Sequence, residues 1–356
     1  MQLGIIGLPQ SGKTTVYNAL TGADIAAEMS AGHLEVHTAV VDVPDPRVDK
    51  LIEMFKPKKI VRAKVTYADI AGLDGTAGRA GLPGVMINQL AQMDGFLHVV
   101  RQFENASVPH LAEKIDPIRD IQTMDTDFIL NDLVMVERRL EKLREEHRRG
   151  VSRPRDVIQA EIDLFERLQA ILNSEKPLRH YDFTPEEDKI VASFGFLSRK
   201  PQIIVFNQSE DQEPIDYISS HPHTSVVSLP AKLEMDIMAL DPEDAEMFME
   251  EYGVTELGMS RLIKVSYDLL NVHSFFTAGE KEVHVWTLRK GSNAREAAGT
   301  IHSDMEKGFI RAEVVSFDDL VTFGSTAEAR NHGRLRVEGK NYIIEDGDII
   351  EIRFNI

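Results

Sequence analysis

The sequence predicts an α/β protein: a doubly wound parallel sheet interrupted by an α-helical arm and followed by a small α+β domain. Three observations predict it. Short β-rich apolar runs alternate with helical stretches near residues 3, 64, 95 and 202, the pattern of a parallel sheet with helices on both faces. A long insertion at 105–195 carries apolar residues at helical spacing. From about residue 274 the apolar period changes to two.

Taken in order, residues 3–6 read as a buried strand, Gly7 to Gly12 as a loop and 14–20 as the first helix. Residues 64–70, 95–100 and 202–207 read as the next strands, each closing on a polar or glycine-containing turn. Ligands of such sheets bind at the carboxyl ends of the strands. In the insertion, Ile129, Leu133, Val136, Leu140 and Leu143 form one seam, and Ile158, Ile162, Phe165, Leu168 and Leu172 a second. Gly150 to Pro154 breaks between them, so two antiparallel helices make a coiled-coil arm. Farther on, 282–287, 308–315, 341–344 and 349–354 read as strands and 294–302 as a short helix, with Gly347 turning the chain between Asp346 and Asp348. The expected domains are 1–104 with 196–273, then 105–195, then 274–356.

A chain of 356 residues exceeds one ordinary core, in keeping with that division. It has no cysteine, which excludes disulfides and thiolate metal sites. No apolar run approaches the roughly 18 residues of a membrane helix, and Met1-Gln2 leads straight into a strand without a secretory leader. A cytoplasmic monomer is the expectation, with no membrane partner. The net charge of −18 excludes a whole-surface attraction to nucleic acid or anionic lipid, and no DNA specificity is expected. A local basic patch is a different matter. Arg144, Arg148, Arg149, Arg153 and Arg155 cluster near the arm tip, where they either meet RNA phosphates or form a solvated turn with Glu145 and Glu146.

Gly7-Leu8-Pro9-Gln10-Ser11-Gly12-Lys13-Thr14 satisfies G-x-x-x-x-G-K-(S/T) between a strand and a helix. The glycines let successive N–H groups face phosphate oxygens, and the helix adds its positive end. Lys13 is expected at the β- and γ-phosphates and the Thr14 hydroxyl on Mg²⁺. Asp69-Ile70-Ala71-Gly72 ends a strand, which suits Asp69 to hold Mg²⁺ through water and the Gly72 N–H to meet the γ-phosphate. Thr38, with Thr21 and Ser30 as alternatives, is the candidate to complete Mg²⁺ coordination from the segment between the first helix and the next strand. Leu73 stands where many related GTPases carry a water-orienting glutamine. Asn207-Gln208-Ser209-Glu210 stands where guanine-specific proteins carry N-K-x-D. Glutamate sets the carboxylate one methylene farther out, which argues against strict guanine selection.

These residues resemble the YchF/Obg-like ATPase family over nearly the full chain. The phosphate loop is similar to G-L-P-N-V-G-K-S-T, with Gln10, Ser11 and Thr14 as substitutions, and Asp69 to Leu73 match D-I-A-G-L. His98-Val99-Val100-Arg101 matches H-V-V-R, and Asn207 to Glu210 match N-x-x-E. Phe275 to Gly279 with Glu282, Ile301 to Asp304, Lys307 to Ala312 and Asp346 to Asp348 match a TGS-type C-terminal domain of ubiquitin-like β-grasp fold. The resemblance implies a P-loop NTPase that hydrolyses ATP by preference and GTP as well, with Mg²⁺, and that associates with ribosomes or ribosomal RNA through the arm and the TGS-like domain. By motif position it puts Gln10, Ser11, Gly12, Lys13, Thr14 and Thr15 at the phosphates. Asn207, Gln208, Glu210 and Ala231 fall at the base, and Leu73 is a hydrophobic substitute for the glutamine. His110, which follows the H-V-V-R strand, is a candidate to approach the phosphates. Two departures stand out: the first switch around Thr38 is several residues shorter than the family's, and Gln208 replaces its usual methionine or leucine. A GTPase of the same fold and a binding module with little turnover remain as alternative readings.

Overall fold

Buried β-branched and leucine side chains in Leu3-Gly4-Ile5-Ile6 make β1 (Gln2–Ile6) the central strand of the first sheet. In this computed structural model the described residues are 1–23, 36–70, 82–105, 108, 110, 114–150, 153–219, 221–251 and 256–355. After β1 come α1 (Lys13–Thr21), β2 (Val36–Asp42), α2 (Pro46–Phe55), β3 (Lys59–Val61), β4 (Lys64–Ile70), α3 (Gly84–Gln92) and β5 (Gly95–Arg101). Two long helices, α4 (Pro117–Arg149) and α5 (Arg155–Asn173), lead to α6 (Pro185–Val191) and β6 (Gln202–Asn207). Then follow β7 (Thr224–Leu229), α7 (Ala231–Met238), α8 (Pro242–Glu251) and α9 (Gly258–Leu269). The last stretch holds β8 (Val272–Ala278), β9 (Glu282–Arg289), α10 (Ala294–Ile301), α11 (Ser303–Lys307) and β10 (Phe309–Ser316). It ends with α12 (Phe317–Phe323), α13 (Thr326–Asn331), β11 (Arg336–Glu338) and β12 (Asp348–Phe354).

The first sheet has the order β2-β4-β1-β5-β6-β7. The pairings of β1 with β4 and β5, of β5 with β6 and of β6 with β7 are all parallel. Strands β5 and β6 are buried at every position, as strands covered on both faces must be. Met86, Leu90, Met124 and Phe128 from α3 and α4 pack on Ile6, Ala68 and Phe96.

Within the insertion, Val136, Leu140 and Leu143 of α4 meet Ile158, Phe165, Leu168 and Leu172 of α5 in one buried cluster. Asp116 caps the start of α4 by accepting from the Arg119 N–H, and Gly150 ends it in a left-handed conformation. Asp132, fully buried, accepts from the Leu197 and Ser198 N–H groups at 3.0 and 2.8 Å, which fastens α4 to the segment entering β6. Burial pushes its carboxyl up to about 6 against those hydrogen bonds.

The second sheet has the order β11-β10-β12-β8-β9-β3. Counted along the C-terminal stretch alone, its first five strands run fourth, third, fifth, first, second, with β12 parallel to β8 and α10 packed over them, a β-grasp arrangement. Trp286 of β9 stacks on His284, ring centroids 3.6 Å apart, and donates to the Thr277 hydroxyl. Residues 341–344, expected as a strand, form only a single bridge between Ile343 and Asn293. Their backbone is committed elsewhere: the Tyr342 N–H turns back to Gly339, its carbonyl accepts from Ala294, and the Ile344 N–H donates to Ser292.

The chain divides into two compact units, Met1–Ala39 with Thr66–Leu262 and Val40–Val65 with Ile263–Ile356. The helical arm is part of the first. Residues 40–65, which the sequence reading assigned to the 1–104 segment, belong with the C-terminal stretch. Among the described residues no helix is long and apolar enough to cross a membrane.

Candidate functional site

The loop between β1 and α1 is shaped by two glycines that no other residue could replace without displacement. Gly7 has φ 151°, and a Cβ there would lie 2.3 Å from the Val99 carbonyl oxygen. Gly12 has φ 91°, and a Cβ there would lie 2.2 Å from the Asn207 amide nitrogen. Gln10 adopts a left-handed conformation at φ 62°, uncommon for a residue with a side chain. Helix α1 begins at Gly12 with no side-chain cap and no acidic residue in its first turn, which leaves its positive end for an anion.

Lys13 is buried, with its ammonium 3.2 and 3.0 Å from the carbonyl oxygens of Gly7 and Leu8. Ser11 is buried too, and its hydroxyl has no protein partner. The Thr14 hydroxyl donates to Asp69 Oδ2 at 3.2 Å, which joins the P-loop helix to the end of β4. Asp69 is 2% exposed, and its charge adds to burial in raising the Tyr17 phenol. Thr15 lies half-buried in the first turn of α1.

Asn207, at the end of β6, fastens two loops. Its amide donates to the Ser11 carbonyl at 3.1 Å, and its Oδ1 accepts from the Ala231 N–H at 3.3 Å, at the start of α7. Asn207 and Ala231 are both buried. Gln208 turns into its own loop: its amide nitrogen donates to the Gln212 carbonyl at 2.9 Å. Gln212 in turn accepts from the Ser209 N–H and donates to the Gln102 carbonyl. Glu210 is exposed.

Other expected residues lie elsewhere. Thr38 is the third residue of β2, the edge strand, where its side chain is exposed; it is in a strand rather than a loop. Thr21 is the last residue of α1 and donates to the Tyr17 carbonyl, and Ser30 lies outside the described residues. Gly72 and Leu73 lie outside them as well. The His110 side chain is buried, with its Nε2 3.0 Å from Asp120 Oδ2 in the first turn of α4.

Two residues of this neighbourhood were not singled out from the sequence. Phe103 brings its ring edge within 3.7 Å of the Cβ position of Gly12 and lies under the Arg101 guanidinium at 4.5 Å. His98 is fully buried; Gln202 donates to its Nδ1 at 3.2 Å. Burial pushes the His98 imidazole down to about 4; Asp125 opposes that shift, while Arg179 and Lys13 add to it. His98 opens the H-V-V-R motif and Phe103 follows it by two residues, and that motif, quoted only for the resemblance, was the signal for them.

The donors present fit a triphosphate with Mg²⁺. The glycine positions leave a cradle that a Cβ would fill, Ser11 has an orphaned buried hydroxyl, and Thr14 and Asp69 bring two hard oxygens together. A model described as "50S ribosome-binding GTPase" matches residues 2–132, and YchF-GTPase_C, described as "Protein of unknown function (DUF933)", matches 272–355. The "Ribosome-binding ATPase YchF" of Bacillus subtilis is 39% identical over 99% of this chain and 99% of its own. The chain belongs to the YchF family. The YchF protein of the same name from Haemophilus influenzae is 38% identical, again over 99% of each chain. The YchF GTPase structure from Schizosaccharomyces pombe superposes with a TM-score of 0.87 at 31% identity, covering 99% of this chain and 97% of that one.

Three of the five arm-tip arginines are held by carboxylates of the arm itself. Arg153 bonds Glu161 at 2.5 Å and Glu146 at 3.2 Å, Arg144 bonds Glu166 at 2.8 Å, and Arg149 bonds Glu145 at 2.5 Å. The tip is therefore less basic than its sequence suggests.

Proposed function

We propose that the protein is a Mg²⁺-dependent nucleoside triphosphatase that prefers ATP, also accepts GTP, and works in the cytoplasm on ribosomes. The observation that carries this reading is the Thr14–Asp69 contact beside a glycine-shaped loop whose helix has no acidic residue of its own in the first turn. Loop N–H groups of Gln10 to Thr14 face the phosphates, Thr15 supports them from the first turn, and the Lys13 ammonium moves from its carbonyl partners to the β- and γ-oxygens. Thr14 holds the metal directly and Asp69 through water. Thr38 is the further ligand only if the edge strand β2, which holds it exposed here, rearranges when the triphosphate binds. When bound, Mg²⁺ neutralises charge developing on the β- and γ-phosphate oxygens. Gly72 offers its N–H to the γ-phosphate, and Leu73 replaces the glutamine, so another group orients the water.

Asn207 and Ala231 frame the base from the side of the P-loop. Glu210 sets its carboxylate one methylene farther out than an aspartate would, which mismatches the paired contact to guanine and supports adenine. Gln208 shapes the loop rather than covering the base. Our division is an NTPase core in 1–104 with 196–273, an arm in 105–195 and a TGS-like domain in 274–356, amended in that residues 40–65 pack with the last. Relatives that share nearly full length carry the name "Ribosome-binding ATPase", and this supports the ribosome as partner.

Calorimetric titration with ATP and GTP tests the base, and cosedimentation with ribosomes tests the partner. GTP binding ten times tighter than ATP, about 1.4 kcal/mol, overturns the adenine reading. Failure to pellet with ribosomes in either nucleotide overturns the partner.

A further inference from the structure

The β-grasp strands make a complete sheet by themselves, yet β9 carries a sixth strand drawn from between the two nucleotide motifs. β3 lies parallel to β9, with Lys59 opposite Glu282, Ile60 opposite Val283 and Val61 opposite His284. The Lys58 N–H reaches the Glu280 carbonyl at 3.1 Å, and Lys59 pairs with Glu282 at 2.8 Å. Helix α2, just upstream, packs against the same β9. Val48 and Leu51 on that helix are fully buried. The Arg47 guanidinium bonds Asp346 at 2.8 Å and lies 5.1 Å over Phe276.

The excursion is short-necked. The Val43 N–H donates to the Ala63 carbonyl at 2.8 Å. Only Arg62 and Ala63 separate β3 from β4, and β4 carries Asp69, the carboxylate on Thr14. From Lys59 to Ile70 there is no glycine and no proline. An extended, hydrogen-bonded stretch of this kind transmits displacement along its axis, whereas a glycine-rich linker would absorb it.

We propose that the β3–β9 pairing is a joint through which the C-terminal unit senses the nucleotide. A shift of Asp69 between triphosphate and diphosphate states is carried along β4 and changes how tightly β3 holds the edge of the second sheet. Because the β-grasp is complete without β3, the edge can loosen without unfolding the domain. This rests on the nucleotide reading above, and the test separates the two.

Hydrogen exchange of amides 59–61 and 282–284 is followed in the full chain, with Mg²⁺ and either ADP or a non-hydrolysable ATP analogue. Exchange there differs between the two states by at least about fivefold, the lower end of ordinary allosteric coupling. Calorimetry on the same samples decides binding independently. No binding of either nucleotide overturns both readings; binding of both with equal exchange overturns the joint alone. Two glycines inserted between Arg62 and Ala63 keep nucleotide binding and erase the exchange difference. Lys59→Glu, an exposed change that sets two carboxylates against each other, speeds exchange in both states and erases the difference without threatening the fold. A difference that survives in both variants overturns the proposal.

Discussion

Asn207→Ala separates a scaffold role from a base contact, because its largest effect is expected with no nucleotide present. The change removes the bond to the Ser11 carbonyl and leaves the Ala231 N–H without its acceptor, both on buried residues. A buried polar group left unpaired costs about 1–3 kcal/mol. Both bonds exceed 3 Å, so the lower half of that range applies to each, or about 2–4 kcal/mol together. Native-state hydrogen exchange reads this locally, which matters in a chain of two units where a single global unfolding energy is poorly defined. Amides of β6 and of the first turn of α1 should open roughly 30- to 900-fold more often in nucleotide-free protein. Asn207→Asp keeps an acceptor for Ala231 but sets its second oxygen against the Ser11 carbonyl, so it should protect the α7 start better than the P-loop. Exchange within about twofold of wild type for Asn207→Ala would refute the reasoning, since twofold is under 0.5 kcal/mol.

Lys13→Ala should cut steady-state phosphate release by about two to three orders of magnitude; that loss counts against a module whose nucleotide is structural, and release unchanged by the substitution would show that it does not come from this site. Acid should destabilise the first unit through His98. Its folded value of about 4 lies below the unfolded one, so the unfolded chain takes the proton first. The stability is complete above pH 6.5 and lost toward pH 4, on the order of 3 kcal/mol. His98→Asn keeps an acceptor for Gln202, and its melting temperature should fall less between pH 7 and 4.5; a parallel fall contradicts the assignment. Arg148→Glu with Arg149→Glu should weaken ribosome cosedimentation at low salt more than at high salt, and no change makes the tip a solvated turn.

The sequence was most informative where local pattern and tertiary burden coincide. β4 and β6 span the residues whose apolar runs announced them, because β6 is buried at every position and β4 from Tyr67 to its end. The arm seam was readable for the same reason: Val136, Leu140 and Leu143 have one face to bury and one partner helix. β3 escaped notice because three residues carry no period, and its partner Glu282 lies far along the chain. Residues 341–344 alternate like a strand, but their backbone groups are taken by a turn and by the approach to α10. At the candidate site, spacing alone could place Thr14 and Asp69 together. It could not show that Asn207 ties the P-loop to α7, nor that Gln208 bends toward Gln212, since both depend on loop geometry.

The stacked pair in β9 has a spectroscopic consequence. Trp286 is the chain's one tryptophan, and an imidazole held face to face at 3.6 Å is a ready quencher of its emission. His284 is also the residue opposite Val61 at the β3 edge. The protein thus carries an intrinsic optical gauge in the C-terminal unit, set against the very strand that joins it to Asp69. Nucleotide added to unlabelled protein should register there as a change in brightness, with no dye and no engineered residue.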